Sequence, residues 1–146
     1  MNSSKNLSGT LEDIKVNVKL KLSALWASLM FIYIYVDIFG FYEPGAIEHI
    51  LEGKVGDFDI TQAWALSALI LMTIPSLMVF LSLVLAAKVN RWTNIIVAIF
   101  YIVVAIGNPI GEDWTYVWVG SVIEIVLLVL VVWYSWQWPQ KTEINS

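Results

Sequence analysis

"QAWALSALILMTIPSLMVFLSLVLAA", residues 62–87, runs for 26 residues without a charged side chain. A helix rises about 1.5 Å per residue, so roughly 20 apolar residues cross the hydrocarbon core of a bilayer. Lipid offers no partner to backbone amides and carbonyls, which makes a helix the natural form of such a segment. The stretch reads as a transmembrane helix. Segments 22–42, 92–111 and 114–138 have the same character. "AAKVNRW" (86–92) puts Lys88 and Arg91 between the second and third spans. "GNPIGED" (107–113) puts glycine, proline and two acids between the third and fourth. The expected fold is an all-α integral membrane four-helix bundle.

Composition agrees. Of 146 residues, 59% are hydrophobic and 14% charged, the latter well below the roughly 25% of soluble domains. Mean hydropathy is +0.75. Spans and connections leave no room for a soluble domain, so 1–146 is read as a single transmembrane domain. A net charge of −4 without a basic stripe argues against nucleic acid as a partner. Cysteine is absent, which excludes disulfides and thiolate-bound clusters. His49 is the only histidine, so neither a metal nor a haem-type cofactor is expected. The first span is preceded by charge, but its apolar run is long and "GFYEPGA" (40–46) is a poor cleavage site. It is read as an uncleaved span rather than a signal peptide.

Cations set the expected orientation. With the amino terminus inside, Lys5, Lys15, Lys19, Lys21, Lys88, Arg91 and Lys141 all fall on the cytoplasmic side and only Lys54 outside. That is a positive-inside pattern with both termini cytoplasmic, N-in/C-in. The outer loops hold Glu43, Glu48, Glu52, Asp57, Asp59, Glu112 and Asp113. Trp92, Trp133, Trp136 and Trp138 would mark the inner interface, and Tyr42, Trp64, Trp114, Tyr116 and Trp118 the outer one. The eight tryptophans are read as anchors.

Two shorter pieces remain. "TLEDIKVNVKLKL" (10–22) alternates like a strand, yet a lone strand has no partner for its backbone. Leu11, Ile14, Val18, Leu22 and Leu25 share a helical stripe, and Thr10 with Asp13 would cap it. A short amphipathic amino-terminal segment, an interfacial helix leading into the first span, is the expectation. In the outer loop, "PGAIEHILEG" (44–53) places Ala46, Ile47, Ile50 and Leu51 on one face, which predicts a short surface helix carrying an exposed His49.

Polar residues are not scattered within the spans. Ser23, Trp26, Met30, Tyr33 and Asp37 share a face of the first; Asn94, Ala98, Tyr101, Ala105 and Asn108 share one of the third. Val117, Gly120, Ser121 and Glu124, continued by Ser135, do so in the fourth. Small and polar stripes of this kind line helix–helix contacts in lipid. Pro75 removes the amide that Leu71 would bond, predicting a kink whose freed carbonyl Thr73, Ser76 or water would satisfy.

Glu124 lies near mid-membrane, where an acid costs around 2.5–3.5 kcal/mol even on lenient scales. No lysine or arginine falls within the expected spans. Glu124 therefore either carries a proton or faces a wet cavity and binds a cation. Asp37 follows an apolar run of 22–36, too short to span alone, so it too is expected inside the membrane. The two acids would form an outward-open polar pocket, with Tyr33, Tyr101, Asn108 and Ser121 supplying hydrogen bonds.

The stretches "VNVKLKLSALWASLMF" (16–31), "PSLMVFLSLVL" (75–85), "KVNRW" (88–92) and "VWYSWQWP" (132–139) resemble a bacterial family of small uncharacterised membrane proteins, a domain of unknown function. The likeness covers roughly residues 11–139, and the spans are loosely similar to four-helix DoxX-type proteins. This resemblance implies a bacterial cytoplasmic membrane and a four-helix bundle, with service beside a membrane oxidoreductase as the DoxX-like implication. It carries no catalytic residues.

The expected function is a non-enzymatic membrane protein whose outward-facing pocket binds a proton, a cation or a small amphiphile. Three alternatives stand beside it. One is a structural subunit of a larger, oxidoreductase-type membrane complex. Another is a proton-coupled small-molecule transporter, which would need at least a homodimer. The last is an enzyme on a lipophilic substrate, for which no nucleophile, metal cluster or cofactor fingerprint is present. The bilayer is the expected partner, with a second copy or a complex subunit as the possible protein partner.

Overall fold

The computed structural model describes residues 14–56 and 58–139. Along the chain run α1 (Val18–Gly40), α2 (Ala46–Leu51), β1 (Lys54–Val55), β2 (Phe58–Asp59), α3 (Gln62–Val84), α4 (Ala87–Gly107) and α5 (Thr115–Trp136). The four long helices are each long and apolar enough to cross a membrane. The protein is an all-α, multi-pass membrane bundle, with α2 as the short loop helix expected at 46–51.

Helix boundaries follow local chemistry. Asn17 caps α1, its Oδ1 accepting from the Lys19 amide at 2.9 Å, a favoured use of a short amide side chain. The span thus opens at Val18, ahead of the expected 22, and residues 14–17 are not helical. Thr10, Leu11 and Asp13, the expected cap and start of an interfacial helix, lie outside the described residues, as do Lys5, Asp57 and Lys141. Thr61 caps α3 by accepting from the Trp64 amide at 3.1 Å. Only Leu85 and Ala86, both extended, separate α3 from α4. Lys88 and Arg91 accordingly sit in α4 itself. That helix stops at Gly107, short of the expected 111: Asn108 keeps helical dihedrals, but Pro109 has no amide with which to bond the Ala105 carbonyl.

The sequence reading missed the hairpin. Lys54 pairs with Asp59 and Val55 with Phe58, with Gly56 at φ +54° in the connection. The end of the bundle carrying it is termed the hairpin end; the end carrying Lys19, Lys21, Lys88 and Arg91 is the basic end.

Around the bundle the order is α3–α1–α5–α4, with α3 meeting α4 along a narrow seam. The core comprises Leu22, Trp26, Leu29 and Tyr33 of α1, Met78 of α3, Ala98, Tyr101 and Ala105 of α4, and Leu128 and Val131 of α5. Burial is lopsided. In α3, Pro75, Met78 and Ser82 are buried, but no residue from 62 to 74 is.

A polar clamp ties three helices together at the basic end. The Trp26 indole donates to Asn94 Oδ1 at 2.7 Å, and the Ser82 hydroxyl to the same oxygen at 3.2 Å. Asn94 Nδ2 donates to Asn90 Oδ1 at 2.6 Å, and Asn90 Nδ2 to the Ser82 carbonyl at 2.6 Å. All four side chains are wholly buried, where each polar atom needs a partner. Ser23 Oγ donates to the Val79 carbonyl at 2.8 Å. Lys19 Nζ donates to the Leu83 and Leu85 carbonyls at 3.1 and 2.7 Å, satisfying the last turn of α3. Trp26 is therefore a core residue and not an anchor. Trp92, Trp133 and Trp136 at the basic end, and Trp114 and Trp118 at the hairpin end, stay exposed.

Pro75 frees the Leu71 carbonyl, and the hydroxyl of Tyr101 from α4 donates to it. Thr73 and Ser76, expected to do this, bond instead to the Leu69 and Met72 carbonyls of their own turns, each at 2.7 Å.

The α1–α5 seam turns on one glycine. A Cβ at Gly120 would lie 2.7 Å from Val36 Cγ2. Gly120→Ala gains up to about 1 kcal/mol of helix propensity but overpacks the seam by roughly 1–3 kcal/mol. A net loss of about 1 kcal/mol is expected in detergent unfolding. Adding Val36→Ala restores most of it; a Gly120→Ala protein as stable as wild type refutes the close approach.

Candidate functional site

The antiparallel α1 and α5 are in register where Gly120 faces Val36. One turn toward the basic end, that register sets Glu124 of α5 level with Tyr33 of α1. Both are buried, at 2% and 5% exposure. Glu124 Oε2 and the Tyr33 hydroxyl each lack a hydrogen-bond partner. Ser121, three residues before Glu124 and so on the same face, is also buried. The stripe logic that grouped Gly120, Ser121 and Glu124 thus describes the inner face of α5.

The other predicted residues lie around this pair in different ways. Tyr101 is fully buried, its ring edge-on to Trp26 at 6.4 Å, and its hydroxyl is committed to Leu71. Asp37, one turn beyond Tyr33, is exposed. Asn108, the C-cap of α4, is exposed too. Tyr33, Ser121 and Glu124 are therefore together in the interior, with Tyr101 in the neighbouring α4 wall. Asp37 and Asn108 lie toward the hairpin end. Pro75 is buried inside α3, at the point where that helix begins to be covered.

A groove of about 450 Å³ runs between α1 and α5, walled by Val36, Phe39, Tyr116, Val119, Gly120 and others. Neither Glu124 nor Asp37 lines it. At its hairpin-end mouth the Tyr116 hydroxyl donates to Glu43 Oε1 at 2.6 Å. His49 is exposed on α2. Among the described residues no three His, Cys, Asp or Glu side chains group to hold a metal.

The polar clamp was only partly foreseen. Trp26 and Asn94 were placed on interior stripes, but Asn90 and Ser82 were not singled out. Asn90 and Asn94 are four apart, which puts two amides on one helical face, and that spacing was the available signal.

Chemically, a carboxyl and a phenol buried at one level of the bundle, with open hydrogen-bonding capacity, can exchange a proton or take up a cation. Residues 11–145 match the model of DUF6326, a family of unknown function. No curated protein and no solved structure matches the chain.

Proposed function

Because the chain belongs to DUF6326, a family of unknown function, its role has to be argued from its own residues, and we propose a non-enzymatic membrane protein that reversibly binds a proton or small cation at Glu124. The observation that carries this reading is the buried Glu124 carboxyl, with Oε2 unpartnered and an unpartnered Tyr33 hydroxyl at the same level of α1. The cations of α1 and α4 are at the basic end, away from it. A carboxylate so placed is stabilised only by a proton or by a bound cation. Tyr33 and Ser121 supply oxygens beside it, and Asp37, exposed one turn closer to the hairpin end, serves as the acidic entrance.

The cation distribution supports a bacterial inner-membrane location with both termini cytoplasmic. Entry to Glu124 is then from the outer face. The largely exposed stretch of α3 before Pro75 favours a second reading, in which a second copy or complex subunit packs there. Recovery of the protein solely as a monomer in mild detergent removes that second reading.

Infrared difference spectra of liposome-reconstituted protein across a pH titration test the main reading. Wild type is expected to show the carbonyl band of a protonated carboxyl appearing and disappearing reversibly, and Glu124→Gln to lack it. Tyr33→Phe should shift the band without abolishing it. Glu124→Gln should fold at least as stably as wild type, since a neutral amide avoids burying a charge. A band unchanged in Glu124→Gln overturns the proposal.

A further inference from the structure

We propose that the α4–α5 corner of the basic end is a binding site for an anionic phospholipid headgroup, with Arg91 and Lys88 as its cationic ligands. The guanidinium carbon of Arg91 lies 5.3 Å from the Trp136 ring and 5.7 Å from the Trp92 ring. Two indoles hold the guanidinium, limiting its loss of freedom on binding. Both are exposed, at 62% and 48%, so they present apolar rings to acyl chains at the level where the charge sits.

Among the described residues the charge lacks an acidic partner. Lys88 is in the first turn of α4 and Arg91 follows one turn later, at the end of the helix where the dipole is positive and cations are disfavoured. That first turn holds no acidic residue. The carboxylates among the described residues run from Asp37 to Asp59 and from Glu112 to Glu124, toward the hairpin end and the upper half of α5. Arg91 Nε is buried without a partner. Lys19, by contrast, is already used on the α3 carbonyls. Among the described residues, Arg91 and Lys88 therefore remain as a cationic pair without a carboxylate, between apolar flanks. An amphiphile with a phosphodiester head matches both parts: oxygens for the cations, chains for the indoles.

Native mass spectrometry of the full chain in detergent, titrated with phosphatidylglycerol or phosphatidylcholine, tests this assignment. Phosphatidylglycerol should bind more tightly, and Arg91→Gln should weaken it about fivefold while leaving phosphatidylcholine binding unchanged. Lys88→Gln, at an exposed position, should act in the same direction and serves where Arg91→Gln disturbs folding. Equal retention of the two lipids by wild type overturns the proposal. So does a phosphatidylglycerol preference that survives both substitutions. Inorganic phosphate that displaces the lipid at millimolar concentration would mark a free-anion site and also overturn it.

Discussion

Replacing Asn94 with leucine should destabilise the bundle by about 3 kcal/mol, roughly 1 kcal/mol for each buried group left without a partner. The Trp26 indole and the Ser82 hydroxyl both donate to Asn94 Oδ1, and Asn90 Oδ1 accepts from Asn94 Nδ2. Leucine fills similar volume, so the loss isolates the polar terms. The measurement is unfolding of the detergent-solubilised protein by increasing denaturing surfactant, followed by circular dichroism. Trp26→Phe should then cost much less in the Asn94→Leu background than in wild type, because its acceptor has already gone. A loss below about 1 kcal/mol for Asn94→Leu, or additive behaviour of the pair, would show that the clamp is not a unit.

Tyr101→Phe should cost about 2 kcal/mol, near the middle of the range for an orphaned buried acceptor. Its hydroxyl is the donor to the Leu71 carbonyl that Pro75 leaves open. The sharper outcome is conditional. In a Pro75→Ala background, residue 75 regains an amide that can bond Leu71 within the helix, so Tyr101→Phe should lose most of its effect. The two substitutions are expected to couple by roughly 1.5 kcal/mol in a double-mutant cycle. Independent effects would mean that the tyrosine acts through packing on Trp26 rather than through the open carbonyl.

Apolar run length made the four spans legible, and three-four spacing made the inner faces legible as well. Trp26, Tyr33, Asn94, Ala98, Tyr101, Ala105, Gly120, Ser121, Glu124 and Ser135 all lie on predicted stripes and are buried. What failed was extrapolation past the point where a neighbour exists. Asp37 continues the stripe of Trp26 and Tyr33 but is exposed, and no residue of α3 before Pro75 is buried. Asn108 continues the stripe of Tyr101 and Ala105 with helical dihedrals, yet it is the last position before Pro109 and is exposed. Partner choice was also illegible. That Leu71 would need a donor follows from Pro75 alone; that Tyr101 brings it depends on the α3–α4 register, a tertiary property. The hairpin was missed because two-residue strands carry too little alternation to be seen.

The hydrogen bonds of the clamp join α1, α3 and α4 and include nothing from α5, whose described side-chain bonds, from Tyr116 and Trp118, go to the loops at Glu43 and Glu112. During synthesis the first three spans leave the ribosome before the fourth. They can fasten to one another in the insertion channel while the last is still emerging. The segment bearing Glu124 is then expected to dock last, held by shape against Val36. A truncated nascent chain ending before Thr115 should already resist extraction as a three-span unit.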